Sequence, residues 1–372
     1  MLENIHQEIL IEILKRLPVR SLLKFRCVSK SWNSLISSST FISSQVSHST
    51  GPNSSIKSYS FVKQKSVPDC KERFILYNDG DDDEDFTIHR ELDEFPYKDQ
   101  RYLEVIGSCK GLICLSDSRY ARFYVWNPIV KKCLTIFSLD SSFVVGFGYD
   151  YKKNDYKVVK ILHQPEKTKM SIEVKIYEVS TSSWRSKTVA NHGFVTFCFG
   201  DRKRTYLNGV YHWLARIPGK DGSSSGKLTL ASFDLGIEVF KETKIPDELA
   251  EDNENHLSLV VCGDSLALIQ HLSWKSDDFS WSLGYYENCC IWVLNEYGWS
   301  KRRSFGVHDY GGLVRVLSFR RNGKILLQIK NSDLASCDPE TQKVTCHGGY
   351  PYRSYFKVHD YVESLVLLGS PV

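Results

Sequence analysis

Residues 5–42, IHQEILIEILKRLPVRSLLKFRCVSKSWNSLISSSTFI, carry the apolar periodicity and the punctuation of three or four short helices. Ile9, Leu10, Ile13, Leu14 and Leu17 recur at three- and four-residue spacing, which sets them along one side of a helix. Pro18 ends that helix near Leu17, because it has no N–H to donate and biases the residue before it away from helical geometry. Ser21 is placed to cap a second helix carrying Leu22, Leu23, Phe25 and Val28. Ser29 is placed to cap a third, with Trp32, Leu35 and Ile36 on one face. A unit of about forty residues cannot bury that much apolar surface alone, so it must dock on a partner or on the rest of the chain.

The Leu-Pro pair at 17–18, the Ser-Leu-Leu at 21–23 and the run RCVSKSW at 26–32 occur in the order found in the F-box, and the stretch resembles that family. The F-box attaches a protein to a Skp-type adaptor of a cullin ubiquitin ligase. Family members usually carry a second Leu-Pro at the start of the first helix, where Ile5 and His6 stand here. The isoleucine preserves the apolar contact. The resemblance implies adaptor contact through Ile5, Ile9, Ile13, Leu14, Leu17, Pro18, Leu22 and Leu23.

The chain has 372 residues, 42% hydrophobic and 25% charged, the balance of a soluble globular protein with a sizeable core. Aromatic residues at 13% and only two methionines lean towards a β-rich fold. A net charge of +4 is too mild to indicate nucleic acid, and the runs Lys301-Arg302-Arg303 and Arg320-Arg321 read as solvated strand ends or turns. The first residues lack the small-residue cleavage site of a signal peptide, and no apolar run approaches the ~18 residues of a membrane span. Eleven cysteines, an odd number scattered singly, point to reduced thiols in the cytoplasm or nucleus. Cys109 with Cys114, Cys289 with Cys290, and Cys346 beside His347 lack the paired spacing of a zinc site, so no metal is expected.

A Ser-rich stretch at 43–60 reads as a junction, which divides the chain into a helical unit at 1–45, a linker at 46–60 and a third part at 61–372. In that part the acidic run 79–85 has the wrong spacing for a calcium loop and is expected as a solvated hairpin loop between strands at 73–77 and 86–92. Further on, one phrase recurs: an apolar strand, a polar turn and another strand. It stands as FYVWNPIVKKCLTIF at 123–137, VKIYEVSTSSWRSKTV at 174–189, ASFDLGIEVFKETKIP at 231–246, IWVLNEYGWSKRRSF at 291–305 and LASCDPETQKVTCH at 334–347. Two further strand-like runs fall between successive phrases, so four short antiparallel strands occupy roughly fifty residues, the period of a kelch-like propeller blade. A pair of antiparallel sandwiches is the competing architecture. The expected fold is therefore an α+β multidomain protein: a helical unit of three to four helices, then an all-β kelch-like propeller of about six or seven blades.

GSCKGLICLSD, WNPIVKK, VVGFGYDYKKNDYKVVKI, YLNGVYHWLA, SFDLGIEVFKETKIP and IWVLNEYGWSKR, in this order behind such an N-terminus, resemble the F-box-associated domain of the large plant F-box family. The residues that carry the match, among them Gly111, Trp126, Asn127, Pro128, Gly146, Gly148, Tyr149, Asp150, Asp155, Tyr156, His212 and Trp213, are expected to hold strands together rather than to touch a ligand.

No catalytic constellation is found. The stretch 218–228, PGKDGSSSGKL, has Asp221 where a phosphate loop needs its first glycine and Leu228 where it needs Ser or Thr. The resemblance implies a non-enzymatic substrate-recognition subunit without a cofactor, binding a Skp-type adaptor, through it a cullin, and an unidentified target protein, with no nucleic acid and no membrane insertion. Loops at 218–227, 273–286 and 307–312 are the candidate target contacts. The second holds Trp274, Phe279, Trp281, Tyr285 and Tyr286, and suits an interface anchor. The alternative is a propeller enzyme or small-molecule sensor that keeps the helices as a cap.

Overall fold

A computed structural model describes residues 7–50, 58–66, 71–80, 86–92, 95, 103–140, 144–162, 171–190, 196–198, 201–217, 226–277, 280–302, 304–306, 312–330, 334–348 and 354–368. Four helices open the chain: α1 (Gln7–Leu14), α2 (Val19–Phe25), α3 (Lys30–Ser37) and α4 (Ser39–Ser49). α1 ends in a turn through Leu17, and α2 starts at Val19 with Pro18 at its N-cap. Ser21 thus lies in the first turn of α2 rather than at its cap. The proline presets φ at −55°, and its carbonyl accepts from the N–H groups of Ser21 and Leu22. Ser29 does cap α3, its hydroxyl accepting from the Trp32 N–H at 3.2 Å. Ser38 caps α4 in the same way, accepting from Phe41.

α4 runs into the Ser-rich stretch read as a junction. Its buried face is Phe41, Gln45, Val46 and Ser49. Two polar residues fit there because Gln45 donates to the Ser49 hydroxyl, Ser49 donates to the Gln45 carbonyl, and the Gln45 side-chain oxygen accepts from the Leu365 N–H. Packing against the far end of the chain has overridden weak helix propensity.

Among the described residues the strands form antiparallel sheets: three of four strands, one of five and one of nine. Five sheets stand where six or seven separate blades were expected. The nine-stranded sheet joins two meanders through the single pair Tyr286↔Leu313, because the strand Ser280–Asn295 is long enough to reach the next group. The strands Leu103–Cys109, Val144–Asp150, Arg204–Leu207, Leu257–Cys262, Leu313–Phe319 and Ser354–Val362 touch in turn around a closed ring. That closure is a propeller's and not a pair of sandwiches'. The ring is sealed by the strand Ser354–Val362 pairing along its full length with Ser58–Ser66, from Ser58↔Val362 to Ser66↔Ser354.

Helices and propeller share one core. Leu14, Val19, Leu22, Ile36 and Phe41 pack in the same cluster as Phe61, Phe74, Trp126, Tyr361 and Leu365. Asn127 ties the C-terminal segment in, its amide donating to the carbonyls of Ser364 and Val366 at 2.9 and 2.8 Å. Gly111, at φ +85°, allows this segment's approach: a Cβ there would meet the Ser364 hydroxyl at 2.1 Å. The expected hairpin is present as Glu72–Asn78 with Ile88–Glu91. Residues 81–85 of the acidic run lie outside the described residues, and Asp79 is buried rather than solvated.

Candidate functional site

Three features of the surface carry chemistry. The first is the outer face of the N-terminal helices. Ile9 and Ile13 are half exposed, at 53% and 50%, Val28 is exposed at 62%, and Pro18 at the α1–α2 corner is exposed as well. Leu17 and Leu23 are half-buried beside them. Leu14 and Leu22, expected to contact an adaptor, are instead buried in the core shared with the propeller. Periodicity sets Ile13 and Leu14 on the same apolar side; the fold turns one outward and the other inward. Ile5 lies outside the described residues. Val28 was missed as a surface candidate, since nothing in its spacing separates it from the core residues of α2.

The second feature is the aromatic stretch 273–286, expected as a loop. It is the outer part of a long hairpin between Ser265–Asp277 and Ser280–Asn295, in register at Trp274↔Tyr286 and Lys275↔Tyr285. Trp274 stands half exposed, with its ring 4.9 Å from that of buried Tyr286, which also lies 4.7 Å from the His271 ring. Tyr285 is half-buried beneath the Lys330 ammonium, 4.5 Å from its ring centre. Phe279 and the side chain of Trp281 lie outside the described residues, as do 218–225 and 307–311 of the other two candidate loops.

The third feature is the propeller's central channel, a cavity of about 150 Å³ whose charged lining residues are Arg202, Arg204, Arg315, Lys357 and Asp360. The sequence reading did not find it. Glu104 and Arg204 are an ion pair although a hundred residues apart, and only ring closure brings them together.

Other reactive side chains are committed to packing. Burial pushes the thiols of Cys109 and Cys198 up to about 11 and about 12, away from the thiolate that would be a nucleophile. Burial also brings His212 down to about 4, with its Nδ1 2.7 Å from the Ser232 hydroxyl. Asp155 accepts from the N–H and hydroxyl of Ser180, and buried Asp150 faces the Lys157 ammonium at 2.6 Å, both of them structural roles. Among the described residues no three His, Cys, Asp or Glu side chains converge on a metal position.

Residues 2–44 match the F-box domain family, and residues 56–366 match the F-box associated beta propeller domain family. The chain belongs to the F-box proteins with an F-box associated β-propeller. An F-box/kelch-repeat protein of Arabidopsis thaliana is 31% identical over 374 residues, covering 88% of this chain and 91% of that one. A second Arabidopsis F-box protein is 26% identical, covering 92% and 87%. The Arabidopsis F-box protein CPR1 is 25% identical, covering 98% and 89%. This chain carries its F-box ahead of a propeller, and the two halves are fused through a common core.

Proposed function

We propose that this F-box protein is the substrate-recognition subunit of a Skp–cullin–F-box ubiquitin ligase. The observation that carries the reading is the division of the F-box residues. Leu14 and Leu22 face the propeller, while Ile9, Ile13, Pro18 and Val28 stand exposed on the helical unit. An apolar helix face of this kind fits a partner helix, and the adaptor's helices are the proposed occupant. Leu17 and Leu23 flank the face and complete it.

The propeller holds the target. Because helices and propeller share one core, target and adaptor are kept at a fixed distance and angle. The contribution is proximity and orientation of a target lysine towards the ubiquitin-conjugating enzyme, with no covalent step on this chain. Ubiquitination and proteasomal degradation of the target follow from that placement.

The test is co-purification of the full chain with a Skp-type adaptor, beside the Leu17→Ala/Pro18→Ala and Ile13→Asp variants. Binding by the parent chain that both variants lose supports the assignment. Absence of binding by the parent chain sinks it and brings the sensor or enzyme reading forward.

A further inference from the structure

The central channel has two tiers of charge. Arg204 and Lys357 both reach Glu104, the lysine at 3.8 Å, and Glu104 also accepts from the Tyr120 hydroxyl. Arg315 donates to the carbonyl of Phe356, next to Lys357 in sequence, and to the side chain of Gln328 at 3.1 Å. Arg204, Arg315 and Lys357 therefore surround one level of the channel, and Arg202 enters the lining two residues before Arg204. Asp360 is three residues further along its strand, about 10 Å away at an extended-strand rise. Its side chain is exposed towards the channel, and the protein packed around it, with Asp79 nearby, pushes its carboxyl up to about 6.

Four cations thus line one cavity, and two of them, Arg204 and Lys357, reach the carboxylate of Glu104. Such a site concentrates positive potential, because low-dielectric walls focus the field. The level already holds a carboxylate drawn from the chain itself, which shows that its geometry accepts that group. Arg202 also lies close enough to Tyr286 for its charge to act on the phenol, and the Tyr286 ring packs against exposed Trp274. The cationic level is in this way continuous with the aromatic hairpin.

We propose that the channel is the target-recognition site and that it takes an acidic peptide segment, with carboxylate side chains entering the cationic level and an apolar side chain laid on Trp274. A cavity of about 150 Å³ admits side chains and a short stretch of backbone, not a folded domain or a nucleic-acid duplex. Only the word target rests on the ligase reading; the binding chemistry stands without it.

The experiment uses the purified full chain and two fluorescein-labelled octapeptides of the same sequence, one with four Glu and a Phe, the other with four Gln and the Phe, read by fluorescence polarisation. The Glu peptide is expected to bind at least about tenfold more tightly, with the preference falling as salt rises. Arg202→Glu and Lys357→Gln should each weaken it by about tenfold or more, and Trp274→Ala should weaken both peptides alike. Lys357→Gln keeps the stem of the side chain, so it serves if Arg202→Glu fails to fold. Equal binding of the two peptides, or unchanged affinity in both charge variants with unchanged thermal unfolding, overturns the proposal. So does displacement of the Glu peptide by inorganic phosphate at concentrations below the peptide's own, which would assign the channel to a small anion. Adaptor co-purification separates the two readings: its loss in the parent chain, with peptide selectivity intact, removes the ligase and leaves the acidic-peptide site.

Discussion

The guanidinium Nε of Arg320 donates to Asp79 Oδ1 at 3.0 Å across 241 residues of chain, and both side chains are almost wholly buried. The Ser60 hydroxyl donates to the other carboxylate oxygen of Asp79 at 3.2 Å. The pair joins the sheet sealed by the chain's last strand to the nine-stranded sheet beside it. Removing one member leaves the other charge in an apolar setting, which costs far more than the pair itself contributes. Asp79→Ala is expected to lower the free energy of unfolding by about 3 kcal/mol, measured by denaturant titration, whereas Asp79→Leu with Arg320→Met changes it by about 1 kcal/mol or less.

Gly111 stands where the chain turns beneath the C-terminal segment. Gly111→Ala meets a left-handed φ, the Ser364 hydroxyl and the Val362 carbonyl at 2.9 Å together. The expected loss is about 2 kcal/mol or more, seen as a lower thermal midpoint. Adding Ser364→Gly removes the side-chain clash but not the backbone strain or the carbonyl, so it recovers only part of the loss.

Acid should weaken the fold through two buried histidines, partly offset by Asp360, whose raised carboxyl takes up its proton in the folded chain near pH 6. Burial lowers His212 to about 4 and His271 to about 3, from an ordinary value of 6.5. Both groups are depressed in the folded chain, so the stability they represent is complete above pH 6.5 and declines as pH falls towards those values. At pH 5.5 the unfolded chain has taken up protons that the folded chain refuses, worth about 1.4 kcal/mol for each histidine. Unfolding midpoints at pH 7.5 and 5.5 check this, and His271→Gln should remove the contribution of about 1.4 kcal/mol that His271 makes to the acid-side loss.

Leu22 and Ile13 separate fold from docking. Leu22→Ala opens a cavity in the shared core and is expected to destabilise the whole chain by about 2–5 kcal/mol. Ile13→Asp replaces a half-exposed side chain and should change stability by about 0.5 kcal/mol or less while removing adaptor binding. Circular dichroism melts beside co-purification distinguish the two effects.

Local signals were legible wherever one segment decides its own structure. Ser29 announces its helix because the cap and the N–H it accepts are three residues apart. The recurring strand phrases announce repeated sheets, since their turns lie within them. What the sequence hid depends on partners far along the chain. α4 is helical although rich in serine, because Gln45 finds the Leu365 N–H 320 residues later. The inward or outward sense of Leu14 and Ile13 is fixed by which strands lie beneath them. The fused nine-stranded sheet reflects one long hairpin, and the cationic channel gathers Glu104, Arg204, Arg315 and Lys357 from four different strands.

The pairing of Ser354–Val362 with Ser58–Ser66 has a consequence for synthesis. On the ribosome the F-box helices emerge long before Tyr361 and Leu365, which complete their core. A nascent chain or a prematurely terminated one therefore has neither a completed helical core nor a closed ring of strands. Such a product is expected to lack a stable fold and to be cleared by proteolysis, a consequence of one core being built from segments made far apart in time.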